Sequence, residues 1–187
     1  MNKVSPKIKV PLLLLCCLII CVLCIYSFLP MTHLHGAQLS KLSDAKLLKT
    51  VQAQNVELME AYADEKTALA SMDPARRTVY VLSIYEKEVE SGGLCLFFVN
   101  ETRLVAPYVE ESLSAAGAQA HLALFSGFIE SNSIDVSDLD SFTIDNIEEY
   151  ALQEKRYDFA SFDEQHYDLP ALEAYIVNYI RANIQSF

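Results

Sequence analysis

The sequence predicts an all-α fold, a compact multi-helix domain following an N-terminal transmembrane helix. Three observations predict it. Apolar residues make up 52% of the 187 residues, too many for a disordered acidic chain. Gly (5) and Pro (6) are scarce and Trp is absent, which favours a helical globular domain. Beyond the amino-terminal apolar run, apolar side chains recur at three- and four-residue intervals. The length leaves room for one ordinary domain once a targeting segment is set aside.

Residues 10–29 read VPLLLLCCLIICVLCIYSFL, twenty residues without a charge. At ~1.5 Å per residue a helix of this length spans ~30 Å of hydrocarbon. Lys3, Lys7 and Lys9 precede it and the next base is Lys41, so the amino terminus is expected in the cytoplasm and the remainder outside it. Bulky residues at the exit, Ser27-Phe-Leu-Pro-Met-Thr, argue against signal cleavage and for an uncleaved anchor. Cys16, Cys17, Cys21 and Cys24 lie inside this run as small hydrophobes, leaving only Cys95 in the remainder. A single thiol permits no internal disulfide and no zinc site of the CxxC type. The expected divisions are a cytoplasmic basic segment at 1–9, the anchor at 10–29, a juxtamembrane helical segment at 30–73 and an acidic helical domain at 74–187.

Between Gly36 and Pro74 there is neither Gly nor Pro, and Leu48, Val51, Asn55, Leu58, Tyr62, Glu65 and Leu69 follow helical spacing. One long amphipathic helix or two is expected, as a stalk or packed into the domain; Asn55 and Glu65 interrupt the stripe and argue against a coiled coil. Asp73 and Pro74 form a helix start, with Val79, Leu82, Tyr85 and Val89 as its buried face. Gly92 and Gly93 break the chain before six apolar residues at 94–99. Pro107 belongs to the first turn of a helix ending at Ala116, with Gly117 as a left-handed cap. Leu122, Phe125 and Ile129 mark another helix, ended by Ser131, Asn132 and Ser133. A polar linker carrying Asp135, Asp138 and Asp140 leads to a helix at about 143–157. An aromatic and acidic loop, RYDFASFDEQHYD, precedes a last helix opened by Leu169 and Pro170, with Leu172, Ile176 and Tyr179 buried. Five to seven helices are expected in the domain.

The net charge is −11, and its distribution is uneven. Residues 1–56 hold six Lys against Asp44, whereas residues 57–187 hold 24 acids against eight bases. Residues 130–173 hold thirteen acids against Lys155 and Arg156. Nucleic acid would be repelled there, so direct nucleic-acid binding is not expected.

The segment Val89, Gly92, Gly93, Phe97, Phe98 and Asn100 resembles the acidic DNA-mimic protein family, a domain of unknown function in which a helix ends in Val-x-Asn-Gly-Gly, followed by Gln, two aromatics and Asn. Ser91 and Leu96 stand where that family has Asn and Gln. The similarity covers about residues 79–183. It implies a helical fold, and it implies little about function, because mimicry depends on how surface charge is placed. Two glycines able to take positive φ would let the next helix turn back and bring Phe97 and Phe98 into the core, with Asn100 capping or bridging backbone groups at the turn.

Catalytic patterns are missing: there is no GxSxG, HExxH or Walker sequence. His166 with Asp163 and Glu164 is the alternative, an unrecognised exported hydrolase or metal-dependent enzyme. The plainer expectation is a partly exposed loop histidine whose pKa neighbouring carboxylates raise. His33 and His35 offer only a weak two-ligand metal site, and Asp135, Asp138 and Asp140 fail the calcium-loop pattern because Phe142 replaces a carboxylate and no Gly follows. No cofactor, no metal and no catalytic residue is expected. The expected function is a membrane-anchored interaction module that docks a basic protein, or a second copy of itself as a homodimer. Its contact residues would be Glu130, Asp135, Asp138, Asp140, Asp145, Glu148, Glu149, Asp163 and Glu164, carried on a structural motif of Gly92, Gly93, Phe97, Phe98 and Asn100.

Overall fold

A computed structural model describes residues 34–187, which form one compact unit. The anchor expected at 10–29 and His33 lie outside the described residues. Among the described residues, no helix is long and apolar enough to cross a membrane.

Eight α-helices and four short 3-10 turns make up the described unit, with no strand among the described residues. The helices are α1 (Asp44–Glu60), α2 (Glu65–Ser71), α3 (Pro74–Val99), α4 (Val109–Ala115), α5 (Gln119–Asn132), α6 (Ile147–Gln153), α7 (Phe159–Tyr167) and α8 (Leu172–Ala182). Helix α3 is the hub, packing against α1, α4, α7, α8 and the 3-10 stretch Glu101–Tyr108.

Asp73 starts α3 by accepting hydrogen bonds from the amides of Ala75 at 2.9 Å and Arg76 at 3.3 Å, with Pro74 in the first turn. Val79, Leu82, Tyr85 and Val89 are fully buried along its inner face. The stretch before Pro74 forms two helices: the first ends at Glu60, and Asp64 caps the second, accepting from the Thr67 amide at 2.8 Å. From residue 34 onward, the segment set apart at 30–73 packs into the same unit. Asn55, which breaks the apolar stripe of α1, is fully buried and donates to the Arg76 carbonyl at 3.1 Å. Arg181 near the end of α8 ties back to α1, pairing with Asp44 at 2.5 Å and donating to the Leu42 carbonyl at 2.8 Å.

Three expected elements differ. The helix expected at 143–157 spans only Ile147–Gln153, because Asn146 caps it by accepting from the Glu149 amide at 3.0 Å. The aromatic and acidic loop is helix α7, whose start is capped by Asp158. Pro107, expected in the first turn of a helix, lies in the 3-10 stretch Glu101–Tyr108 ahead of α4; the six helices between residues 74 and 187 fall within the expected five to seven. Elsewhere the ends fall as expected: Gly117 has φ +74° after α4, and Ser133 ends α5 in the left-handed conformation.

Candidate partner-binding surface

The Gly92–Gly93 break positions everything beneath this surface. Only Gly93 takes a positive φ, +78°; Gly92, expected to share that freedom, is extended at −171°. The turn leaves the Leu94 amide without a helical acceptor, and Asp163 of α7 supplies one at 2.8 Å. Phe97 and Phe98 then enter the core fully buried. Asn100 does not bridge backbone with its side chain as expected: its Nδ2 donates to the buried Glu88 carboxylate at 2.6 Å.

From Phe98 the packing runs outward to the acids. The Phe142 ring lies 4.9 Å from that of Phe98, tilted by 30°. Phe142, Leu139 and Ile134 are buried, while Asp135, Asp138 and Asp140 between them are exposed. The polar linker is thus pegged to the core by alternate apolar side chains. Its carboxylates also fix their own backbone: Asp135 accepts from the Ser137 hydroxyl at 2.6 Å and amide at 2.9 Å, which holds it below the usual carboxylate range. Asp138 accepts from the Asp140 amide at 3.3 Å.

Glu130 is exposed near the end of α5, and Glu164 is exposed on α7. Asp145 and Glu148 are exposed around the start of α6, where Glu149, half-buried, accepts from the Asp145 amide at 2.8 Å. Glu154, Asp158 and Asp168 are exposed too, and were not singled out from sequence. Asp163 differs from the rest. It is half-buried against Gly93, and burial raises its pKa despite the Leu94 hydrogen bond.

Among the described residues the ion pairs are Arg77–Glu111 and Arg181–Asp44, so none of the thirteen acids at 130–173 is paired with a base. Arg156, the guanidinium within this segment, sits over the rings of Tyr157 at 5.2 Å and Phe142 at 5.9 Å and donates to the Ser141 carbonyl at 3.3 Å.

His166 is not the partly exposed histidine expected. It is 6% exposed, packed against Tyr85, Phe162 and His121. Burial and the adjacent His121 push its pKa down to about 4 rather than up. His121 Nε2 donates to the Pro170 carbonyl at 2.9 Å. Among the described residues no three His, Cys, Asp or Glu side chains gather as a metal site. Cys95 is buried, and burial with nearby Glu154 and Asp163 pushes its thiol up to about 12, which keeps it protonated.

The fold and this surface define an all-α acidic domain with unpaired carboxylates on a rigid helical frame. Residues 70–183 match the model of the DMP19-like protein family, and the chain belongs to that family. The match opens at the end of α2 and runs through α8, so α1 packs onto the family domain from outside it. No curated protein and no solved structure matches the chain.

Proposed function

We propose that this protein is a membrane-anchored interaction module: residues 10–29 hold it in the bilayer, the amino terminus is cytoplasmic, and the helical domain outside docks a basic protein through its carboxylates at 130–173. The observation that carries the reading is the row of exposed acids left without ion pairs although Arg156 lies among them. Carboxylates that lack internal partners, on a backbone fixed by Phe142, Leu139 and Asx-type hydrogen bonds, are available to a cationic surface without prior rearrangement. Membership in a family named for DNA mimicry supports the same chemistry, in which carboxylates stand in for phosphates. An exported domain meets basic proteins other than DNA-binding factors, and its charge repels nucleic acid itself. Self-association is the competing use of the surface, and the net charge opposes it.

A reporter active on one side of the membrane only, fused after Phe187, tests the placement; activity outside the cytoplasm is expected, and activity inside it overturns the placement. Cross-linking and capture from membranes test the docking. Wild-type chain should recover a basic partner that is lost when Asp138, Asp140, Glu148 and Glu164 are neutralised, and identical recovery by both chains overturns the reading.

A further inference from the structure

A second surface lies where α1 packs along α3. Two cavities, of about 670 Å³ and about 390 Å³, adjoin there with Val56 and Tyr80 as shared walls. Leu48 and Ile84 extend the apolar wall. Val56 is 50% exposed, so the trough leaves a large aliphatic side chain half uncovered. From Leu48 to Met59 it follows α1 for ~17 Å at ~1.5 Å per residue, three turns of a helix laid alongside.

Its rims are acidic at both ends. Glu86, Glu90 and Glu173 line the larger cavity, and Glu60, Asp64 and Glu65 the smaller. Lys87 is the base that lines the larger one, and no base lines the smaller. Glu86 is half-buried and accepts from the Glu173 amide at 2.8 Å. Burial first, then the charges of Glu90 and Glu173, push its pKa up to about 7, and a cation seated beside it would relieve that repulsion.

We propose that this trough takes a basic amphipathic helix of a protein partner, with its apolar face on Val56, Tyr80 and Ile84 and its Lys or Arg side chains against Glu86, Glu90 and Glu60. Charge complementarity chooses this occupant. A second copy of the chain brings the wrong sign, since residues 34–187 carry 25 acids and 11 bases. Of the thirteen acids at 130–173 only Glu173 lines this surface, and it is not among the candidate contact residues, so the proposal goes beyond the docking role given to those residues, and the two can fail separately.

The test immobilises the full chain and measures binding of a short amidated peptide of Leu, Ala and Lys with every Leu on one helical face. Val56→Arg should weaken binding by about tenfold or more, the loss typical of a central contact, and Glu86→Gln with Glu90→Gln should do the same. Asp138→Asn with Asp140→Asn should change it less than about twofold, as expected of distant sites. Val56 is exposed, so the melting curve of Val56→Arg should stay close to wild type and exclude misfolding. An equal loss from the Asp138 and Asp140 changes, unchanged binding in Val56→Arg, or equal affinity for a peptide with its Leu residues scattered round the helix overturns the proposal. Concentration-dependent self-association that Val56→Arg abolishes also overturns it, by making a second copy the occupant.

Discussion

Asp163 and Leu94 lie 69 residues apart, yet the Asp163 carboxylate accepts the Leu94 amide at 2.8 Å and so starts the second half of α3. The same carboxylate fills the space beside Gly93, where an added Cβ would collide with its Oδ2 and lie 2.8 Å from its Cγ. One side chain thus fixes the break in the central helix and holds α7 against it.

Gly93→Ala should therefore destabilise the chain by roughly 2 to 4 kcal/mol, from a strained positive φ and a steric conflict together. Gly92→Ala should cost less, about 1 kcal/mol, because its φ is extended and its new Cβ meets only the Leu96 side chain, closest at the movable Cδ2. Asp163→Ala should lose roughly 1 to 2 kcal/mol of capping, and the double change with Gly93→Ala should fall short of the sum. Denaturant unfolding of the full chain measures all four.

Phe97 and Phe98 test where the core lies. Both are fully buried and in ring contact with Tyr85, Phe142 and Phe159 between them. Replacing either by Ala should cost ~3 to 5 kcal/mol, whereas Asp138→Asn or Asp140→Asn should stay within ~0.5 kcal/mol. Thermal melts of the four variants compare them directly, and Phe98→Ala should also loosen the acidic turn that Phe142 pegs.

A half-buried carboxyl and a buried imidazole give opposite pH slopes. Glu86 is raised from 4.5 to about 7, so its folded form holds a proton more tightly than the unfolded one; the stability it confers is complete below pH 4.5 and is lost as pH rises through about 7. His166 is lowered from 6.5 to about 4, so its contribution is complete above pH 6.5 and is lost as pH falls toward about 4. Between pH 4.5 and 6.5 the two oppose one another. Glu86→Gln should leave a stability that climbs more steeply with pH than wild type, and His166→Gln one that climbs less or falls. Denaturant midpoints measured at several pH values across this window read the sign of each slope.

Much of the frame was legible in the sequence because its punctuation is local. Asp73-Pro74, Gly92-Gly93, Gly117 and Ser133 mark breaks that depend on backbone conformation, which a few neighbouring residues determine. The acidic segment was harder for the same reason turned round. Phe159, Phe162 and His166 are buried by partners from α3 and α5, such as Tyr85, Phe128 and His121, that no local window contains. Charged neighbours made that stretch read as loop and made His166 read as solvated. A signal was present nonetheless: Asp158 with Ser161 is a capping pair, and Asn146 with Glu149 is another. Of the candidate contact residues, the sequence shows where charge accumulates but not that Asp163 is turned inward, since its role depends on an amide 69 residues away.

The central claim is that the acids at 130–173 bind a basic partner by charge, while the core beneath them is unaffected by their loss. The most direct measurement follows partner retention on the immobilised full chain as ionic strength rises, for wild type and for the chain with Asp138→Asn, Asp140→Asn, Glu148→Gln and Glu164→Gln. Wild-type retention should fall steeply as the screening length shrinks below ~10 Å, near ~0.1 M salt. The neutralised chain should bind about tenfold more weakly at low salt and depend less on salt, with a melting curve close to wild type. Equal retention by the two chains, with the same salt dependence, would contradict the account.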